Sequence, residues 1–161
     1  MDIFEFALQM EKDGEKYYRD LVLKVDNIGL KNVLSMLADA EVKHYEILQR
    51  LKENETVQIS DVSVLSDVKN IFTKMKEEKD ISGLDSSLRE VYENALEIEK
   101  KSQEFYKEKA EEVHEQSQRE ILLKIAEEEK HHCIILENII NFVSQPARWL
   151  ENAEWYHMDE Y

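Results

Sequence analysis

Residues 125–133 read Ile125-Ala126-Glu127-Glu128-Glu129-Lys130-His131-His132-Cys133, and residues 37–45 read Leu37-Ala38-Asp39-Ala40-Glu41-Val42-Lys43-His44-Tyr45. Each holds Ala-x-x-Glu-x-x-His, once as Ala126, Glu129 and His132 and once as Ala38, Glu41 and His44, and the copies stand 88 positions apart. Thirty residues before each motif glutamate lies another, Glu11 before Glu41 and Glu99 before Glu129. Side chains three apart share a helix face, so each Glu-x-x-His pair can grip one ion. Two such pairs, each with its glutamate at one fixed offset, describe a two-metal site.

The offset holds well beyond the motifs. Shifting residues 1–51 by 88 pairs Glu5 with Glu93, Ala7 with Ala95, Leu8 with Leu96, Tyr18 with Tyr106, Val25 with Val113 and Leu34 with Leu122, without a gap. The chain is therefore read as one all-α domain, a four-helix bundle of two pseudo-symmetric hairpins, residues 1–52 and 86–144, joined by a long crossover, 53–85. In the first hairpin, helices over about 2–24 and 29–52 flank the turn Asp26-Asn27-Ile28-Gly29, and so short a connection makes them antiparallel neighbours. Asp2 with Glu5 forms a capping-box-like start. Val64, Leu65, Val68, Ile71, Phe72 and Met75 mark a shorter amphipathic helix in the crossover. Ser87-Leu88-Arg89-Glu90 and Ser117-Gln118-Arg119-Glu120 read as capping boxes opening the third and fourth helices, the latter ending at Ser144 before Pro146. Residues 145–161, with Trp149, Trp155, Tyr156 and Tyr161, are expected to form an aromatic strap on the bundle or on a second subunit.

Composition narrows the function classes. One Pro, three Gly and 35% charged residues leave few helix breaks. A net charge of −15 argues against nucleic-acid binding, which wants a basic face. The single Cys133 excludes an intramolecular disulfide and a cysteine-rich metal knuckle. The opening residues lack a basic leader, and no apolar run approaches spanning length. The expectation is a soluble cytoplasmic protein with no membrane partner.

Glu11, Glu41, His44, Glu99, Glu129 and His132 form a donor set of hard oxygen and borderline nitrogen that suits two Fe ions, with Mn as an alternative and Zn as a substitute. Glu11 and Glu99, from the two partner helices, are read as the bridging pair. Ionised carboxylates in an apolar bundle are costly unless compensated. Two divalent ions balance four glutamates; oxidising both calls for an oxo or hydroxo ligand. Gly14 and Ser102 occupy matching places on the ligand face, three residues after Glu11 and Glu99, and would leave a pocket for O2 or peroxide. Tyr18 and Tyr106, two turns beyond those glutamates, are the catalytic candidates: they can donate to the ligand carboxylates or protonate a peroxide, a reading favoured over that of plain core aromatics. The bland readings fall on other residues. His131 aligns with Lys43 and reads as surface. Glu128 with His131 is a competing pair one position out of frame. Glu15, Glu97 and Glu104 read as exposed charges, His114 as a turn residue and Cys133 as packing.

On these motifs the sequence resembles the ferritin-like di-iron carboxylate proteins, and most closely the rubrerythrin group, over about residues 2–144. The resemblance implies the six residues as iron ligands with Glu11 and Glu99 bridging, Tyr18 as the active-site tyrosine, and two-electron reduction of hydrogen peroxide or O2 in defence against oxidative stress. Two departures stand out. The rubredoxin domain usual in that group needs two Cys-x-x-Cys pairs, so this chain would take electrons from an external donor such as a rubredoxin-like protein. An extra glutamate expected three residues after Glu99 is Ser102 here, which brings the set nearer a ferroxidase centre. Three functions compete: a peroxidase built as a homodimer, a ferritin-type ferroxidase and iron-storage subunit, and a metal-stabilised bundle without turnover.

Overall fold

The computed structural model describes residues 2–57 and 64–151. Helices α1 (Ile3–Lys24), α2 (Ile28–Lys52), α4 (Arg89–Glu112) and α5 (Gln116–Ser144) make the bundle, α3 (Leu65–Glu78) lies in the crossover, and α6 (Pro146–Glu151) follows α5. The described residues contain no strand, and no helix among them is long and apolar enough to cross a membrane.

The N-terminal cap forms as expected, with Asp2 accepting hydrogen bonds from the Phe4 and Glu5 amides at 2.8 and 2.9 Å. Asn27 caps α2 by accepting from the Leu30 amide at 3.0 Å, and it donates to the Ser82 carbonyl at 2.8 Å, tying the crossover to the first turn. Gly83, at φ +70°, is held against that turn; a Cβ there would lie 2.9 Å from the Asp26 Cβ. Neither expected capping box is used. Asp85 caps a 3-10 turn, Ser86–Leu88, from which α4 continues. α5 starts at Gln116 after Glu115, so Ser117 already lies inside its first turn. The repeat governs these ends instead: Val25 and Val113 close α1 and α4, and Asn27 and Glu115 precede α2 and α5.

Helices pair as α1 with α2 and α4 with α5, while α3 packs on α2 and α5. The cross-bundle contacts fix direction. Tyr18 meets Glu99 and Tyr106 meets Glu11, so α1 and α4 run oppositely. His44 meets Glu129 and His132 meets Glu41, so α2 and α5 do too. Two apolar clusters fill the bundle. One gathers Tyr18, Leu34, Leu37, Phe72, Ile135 and Phe142, with α3 and α6 closing it; the other gathers Ala7, Leu48, Leu51, Tyr106, Leu122 and Ile125. Trp149 of α6 is buried against Phe142 at 4.2 Å between ring centres, with the Lys76 ammonium 4.7 Å from its ring. Trp155, Tyr156, His157 and Tyr161 of the expected strap lie outside the described residues.

Candidate metal centre

Between the two apolar clusters the helices bring together the six residues singled out by the repeat. Glu11, Glu41, His44, Glu99, Glu129 and His132 are all buried, at 4% exposure or less. Their donor atoms form two sets, each within 4.8 Å: Glu11, Glu41, His44 and Glu129, and Glu41, Glu99, Glu129 and His132. The imidazole rings lie nearly parallel, 5.9 Å between centres. Each turns Nδ1 inward. His44 Nδ1 stands 3.5 Å from Glu11 and 3.4 Å from Glu129, and His132 Nδ1 stands 3.3 Å from Glu99 and 3.5 Å from Glu41.

The division of labour among the carboxylates reverses the expectation. Glu41 and Glu129 belong to both sets, whereas Glu11 and Glu99 belong to one each. The tyrosines give the reason. The Tyr106 hydroxyl donates to Glu11 Oε1 and the Tyr18 hydroxyl to Glu99 Oε1, each at 2.5 Å. Bridging asks one oxygen for each ion, and these two glutamates have one oxygen engaged. Both oxygens of Glu129 lack a hydrogen-bond partner among the described residues. The tyrosines cross the bundle: each serves the glutamate of the other hairpin, not the one on its own helix.

Electrostatics follow the same partition. Burial opposes ionisation of Glu11 and Glu99, but the facing imidazolium and the hydrogen bonds outweigh it and hold both below the usual carboxylate range. Burial, then the neighbouring carboxylates, pushes Glu41 well up and Glu129 to about 8. Burial disfavours charge on His44 and His132, yet the adjoining glutamates raise both well above the ordinary histidine value. Tyr18 and Tyr106 are pushed up by burial and then by the surrounding carboxylates, so their hydroxyls keep their protons.

One further residue faces the cluster. Glu128 is buried at 4% exposure and its Oε2 lies 3.3 Å from His44 Nε2, the nitrogen turned away from the centre. A carboxylate on the outer imidazole nitrogen fixes the ring and its tautomer and raises ligand basicity. Glu128 is thus a partner of His44 and not, as its out-of-frame spacing to His131 suggests, a rival ligand. His131, expected at the surface, is partly covered, its side chain 14% exposed beside Glu127 at 3.7 Å. The cause is that α5 meets α2, α3, α4 and α6, so little of its flank is left open. His114, Glu97 and Glu104 are exposed, Glu15 pairs with Arg19, and Cys133 is buried with its thiol pushed up to about 12, mainly by burial.

Above the centre, where α1 and α4 meet less closely than either meets its hairpin partner, lies a cavity of about 510 Å³. Gly14, Ser102, Tyr18, Glu41 and Glu99 line it together with the apolar Phe6, Met10, Ala95, Ile98 and Phe105, with Tyr17, and with the charged Asp13 and Lys101. The mid-helix glycine has a close-approach cause, since a Cβ at Gly14 would stand 3.3 Å from Glu41 Cδ.

The residues fit a pair of metal ions on their own terms. Buried polar atoms rarely go without a hydrogen bond, yet among the described residues Glu11 Oε2, His44 Nδ1 and both Glu129 oxygens make none, although they crowd one point in the molecule. No curated protein and no solved structure matches the chain. The family model of rubrerythrin matches residues 2–140, and the chain belongs to that family.

Proposed function

We propose that the chain is a non-haem di-iron carboxylate oxidoreductase that reduces hydrogen peroxide, or O2, with electrons from an external donor such as a rubredoxin-like protein. The observation that carries this reading is the cavity that Gly14 and Ser102 leave open down to Glu41 and Glu99, because a purely structural site would gain by being sealed. Glu11 and His44 would hold one iron, Glu99 and His132 the other, with Glu41 and Glu129 shared. Bound in that way, the pair supplies two electrons and Lewis acidity to an oxidant. The chain's own part is positional and protonic. Tyr106 and Tyr18 fix Glu11 and Glu99 by donating to one oxygen of each. Tyr18, on the cavity wall, also holds a proton beside the place an oxidant would occupy. The apolar clusters on either side keep bulk water from the carboxylates. We place this activity in the reducing cytoplasm, in a homodimer.

Anaerobic stopped-flow mixing of the reduced, iron-loaded protein with H2O2 and then with O2 tests the reading. Faster oxidation by H2O2 is expected. A second reading, iron oxidation and storage, is favoured by one observation: position 102 on the cavity wall is Ser, leaving six ligands. Faster oxidation by O2, iron retained as mineral, and a light-scattering mass near 24 subunits would establish that reading instead. Absence of turnover with either oxidant would leave the metal a structural role.

A further inference from the structure

We propose that the cavity over the metal centre takes an apolar hydroperoxide, ROOH with an alkyl or aryl R group, so that the substrate is larger and greasier than hydrogen peroxide; this rests on the peroxide-reducing function proposed above. Size is the first argument. The cavity measures about 510 Å³, within the roughly 300–1,000 Å³ of small-molecule sites. A water molecule takes about 30 Å³ of liquid, and hydrogen peroxide is only one oxygen larger. Most of the space is therefore unused by that oxidant.

The second argument is the separation of chemistry within the cavity. Its outer part is mostly apolar, with Phe6, Met10, Ile98 and Phe105 beside the exposed Asp13 and Lys101, and its floor is Glu41, Glu99, Tyr18 and Ser102. Phe6 and Ile98 are 48% and 49% exposed, and the Phe6 and Phe105 rings lie 5.1 Å apart. Apolar side chains kept half in water do nothing for a small polar oxidant, but they would remove an R group from solvent. The floor offers the opposite: a hydroxyl donor and carboxylates at the metal centre. A molecule with a polar reactive head and an apolar tail matches that order, head down. The net reaction balances as for hydrogen peroxide. The O–O bond breaks, two electrons and two protons are taken up, and ROH and water leave; the electrons derive from the reduced metal pair and ultimately from the external one-electron donor.

Two measurements on the full chain test this. The product analogue cumyl alcohol is titrated into zinc-loaded protein, which cannot turn over, and kcat/KM is measured for cumene hydroperoxide and for H2O2 with iron-loaded protein. One binding site per chain is expected, with Ile98→Asp weakening it at least tenfold and lowering the ratio of the two kcat/KM values by a similar factor. Ile98 is half exposed, so the charge is tolerated by the fold; Phe6→Ser provides a second test of the same wall. Turnover of H2O2 without any alcohol binding overturns the pocket and leaves the peroxidase reading intact. Alcohol binding without turnover of either peroxide overturns the peroxidase reading and, with it, the substrate. A ratio unmoved by both variants overturns the proposal, as does a shift from dimer to monomer in Ile98→Asp, which would make the wall a subunit interface.

Discussion

At the scale of single residues, the least symmetric feature of the centre is the most informative. Glu128 stands behind His44, whereas the repeat places Ala40 at the equivalent position behind His132. The two metal positions are therefore unequal in how firmly their imidazoles are set. Truncating Glu128 to Ala takes away the buried carboxylate beside His44 Nε2, so the metal-free fold should lose stability, since removing one partner of a buried pair leaves the other uncompensated. Metal affinity at the Glu11/His44 position should fall about 10- to 100-fold, the usual effect of losing an outer imidazole partner, with the His132 position unaffected. A two-site metal titration distinguishes these; equal loss at both positions would remove Glu128 from this role. Gly14 makes a separate prediction. Gly14→Ala gains about 1 kcal/mol of helix propensity but sets a methyl 3.3 Å from Glu41 Cδ. In metal-free protein Glu41 can shift aside, so the thermal midpoint should hold or rise. With metals fixing Glu41 the methyl should cost roughly tenfold in affinity, about 1.4 kcal/mol. A variant that binds metals as tightly as the parent would show that the glycine has no spacing role.

At the scale of elements, the ends of the helices obey the repeat more closely than they obey local capping signals. Asn27 both caps α2 and holds the Ser82 carbonyl, and it is buried. Asn27→Ala should cost about 1 kcal/mol for the cap and more for the lost crossover bond, whereas Ser117→Ala should change stability by less than about 0.5 kcal/mol. Urea denaturation of the two variants checks the contrast, and a Ser117 effect matching that of Asn27 would restore the capping box. This contrast also explains what was legible in the sequence. The hairpins and the six buried donors follow from one 88-residue offset, because duplicated hairpins must bury equivalent faces, whereas the crossover helix, outside the repeat, follows from its own apolar spacing. The symmetry that selects those six hides Glu128, whose equivalent is Ala40. Which carboxylates are shared was illegible too, since it depends on the cross-bundle reach of Tyr18 and Tyr106. Helical spacing sets a residue's face but not which carboxylate oxygen is engaged.

For the whole molecule, the question is how a chain with net charge −15 keeps four glutamates at its centre. Protons and metal ions compete for that duty. At neutral pH, Glu11 and Glu99, held low by His44 and His132 against the cost of burial, are charged; the two imidazoles, raised by those glutamates despite burial, are charged oppositely. Glu41 and Glu129, raised first by burial and then by their carboxylate neighbours, hold protons, Glu129 up to about pH 8. The six-residue donor set is thus neutral when protonated, and so is the same set with its four carboxylates ionised around two divalent ions; Glu128 lies outside it, behind His44. Exchanging one state for the other releases two protons from Glu41 and Glu129 and two from His44 and His132. Because metal binds the deprotonated groups, affinity must rise with pH, and the dependence is steepest below pH 8, where Glu129 and the other three groups still carry their protons. Isothermal titration of Zn²⁺ at pH 7 in buffers of different ionisation enthalpy should therefore report about four protons released per pair of ions, and the affinity should fall sharply between pH 8 and pH 6. A heat of binding independent of buffer would mean that the glutamates are ionised without the metals. The bundle would then have to bear four uncompensated carboxylates, a cost of several kcal/mol each that a domain of ordinary stability does not survive.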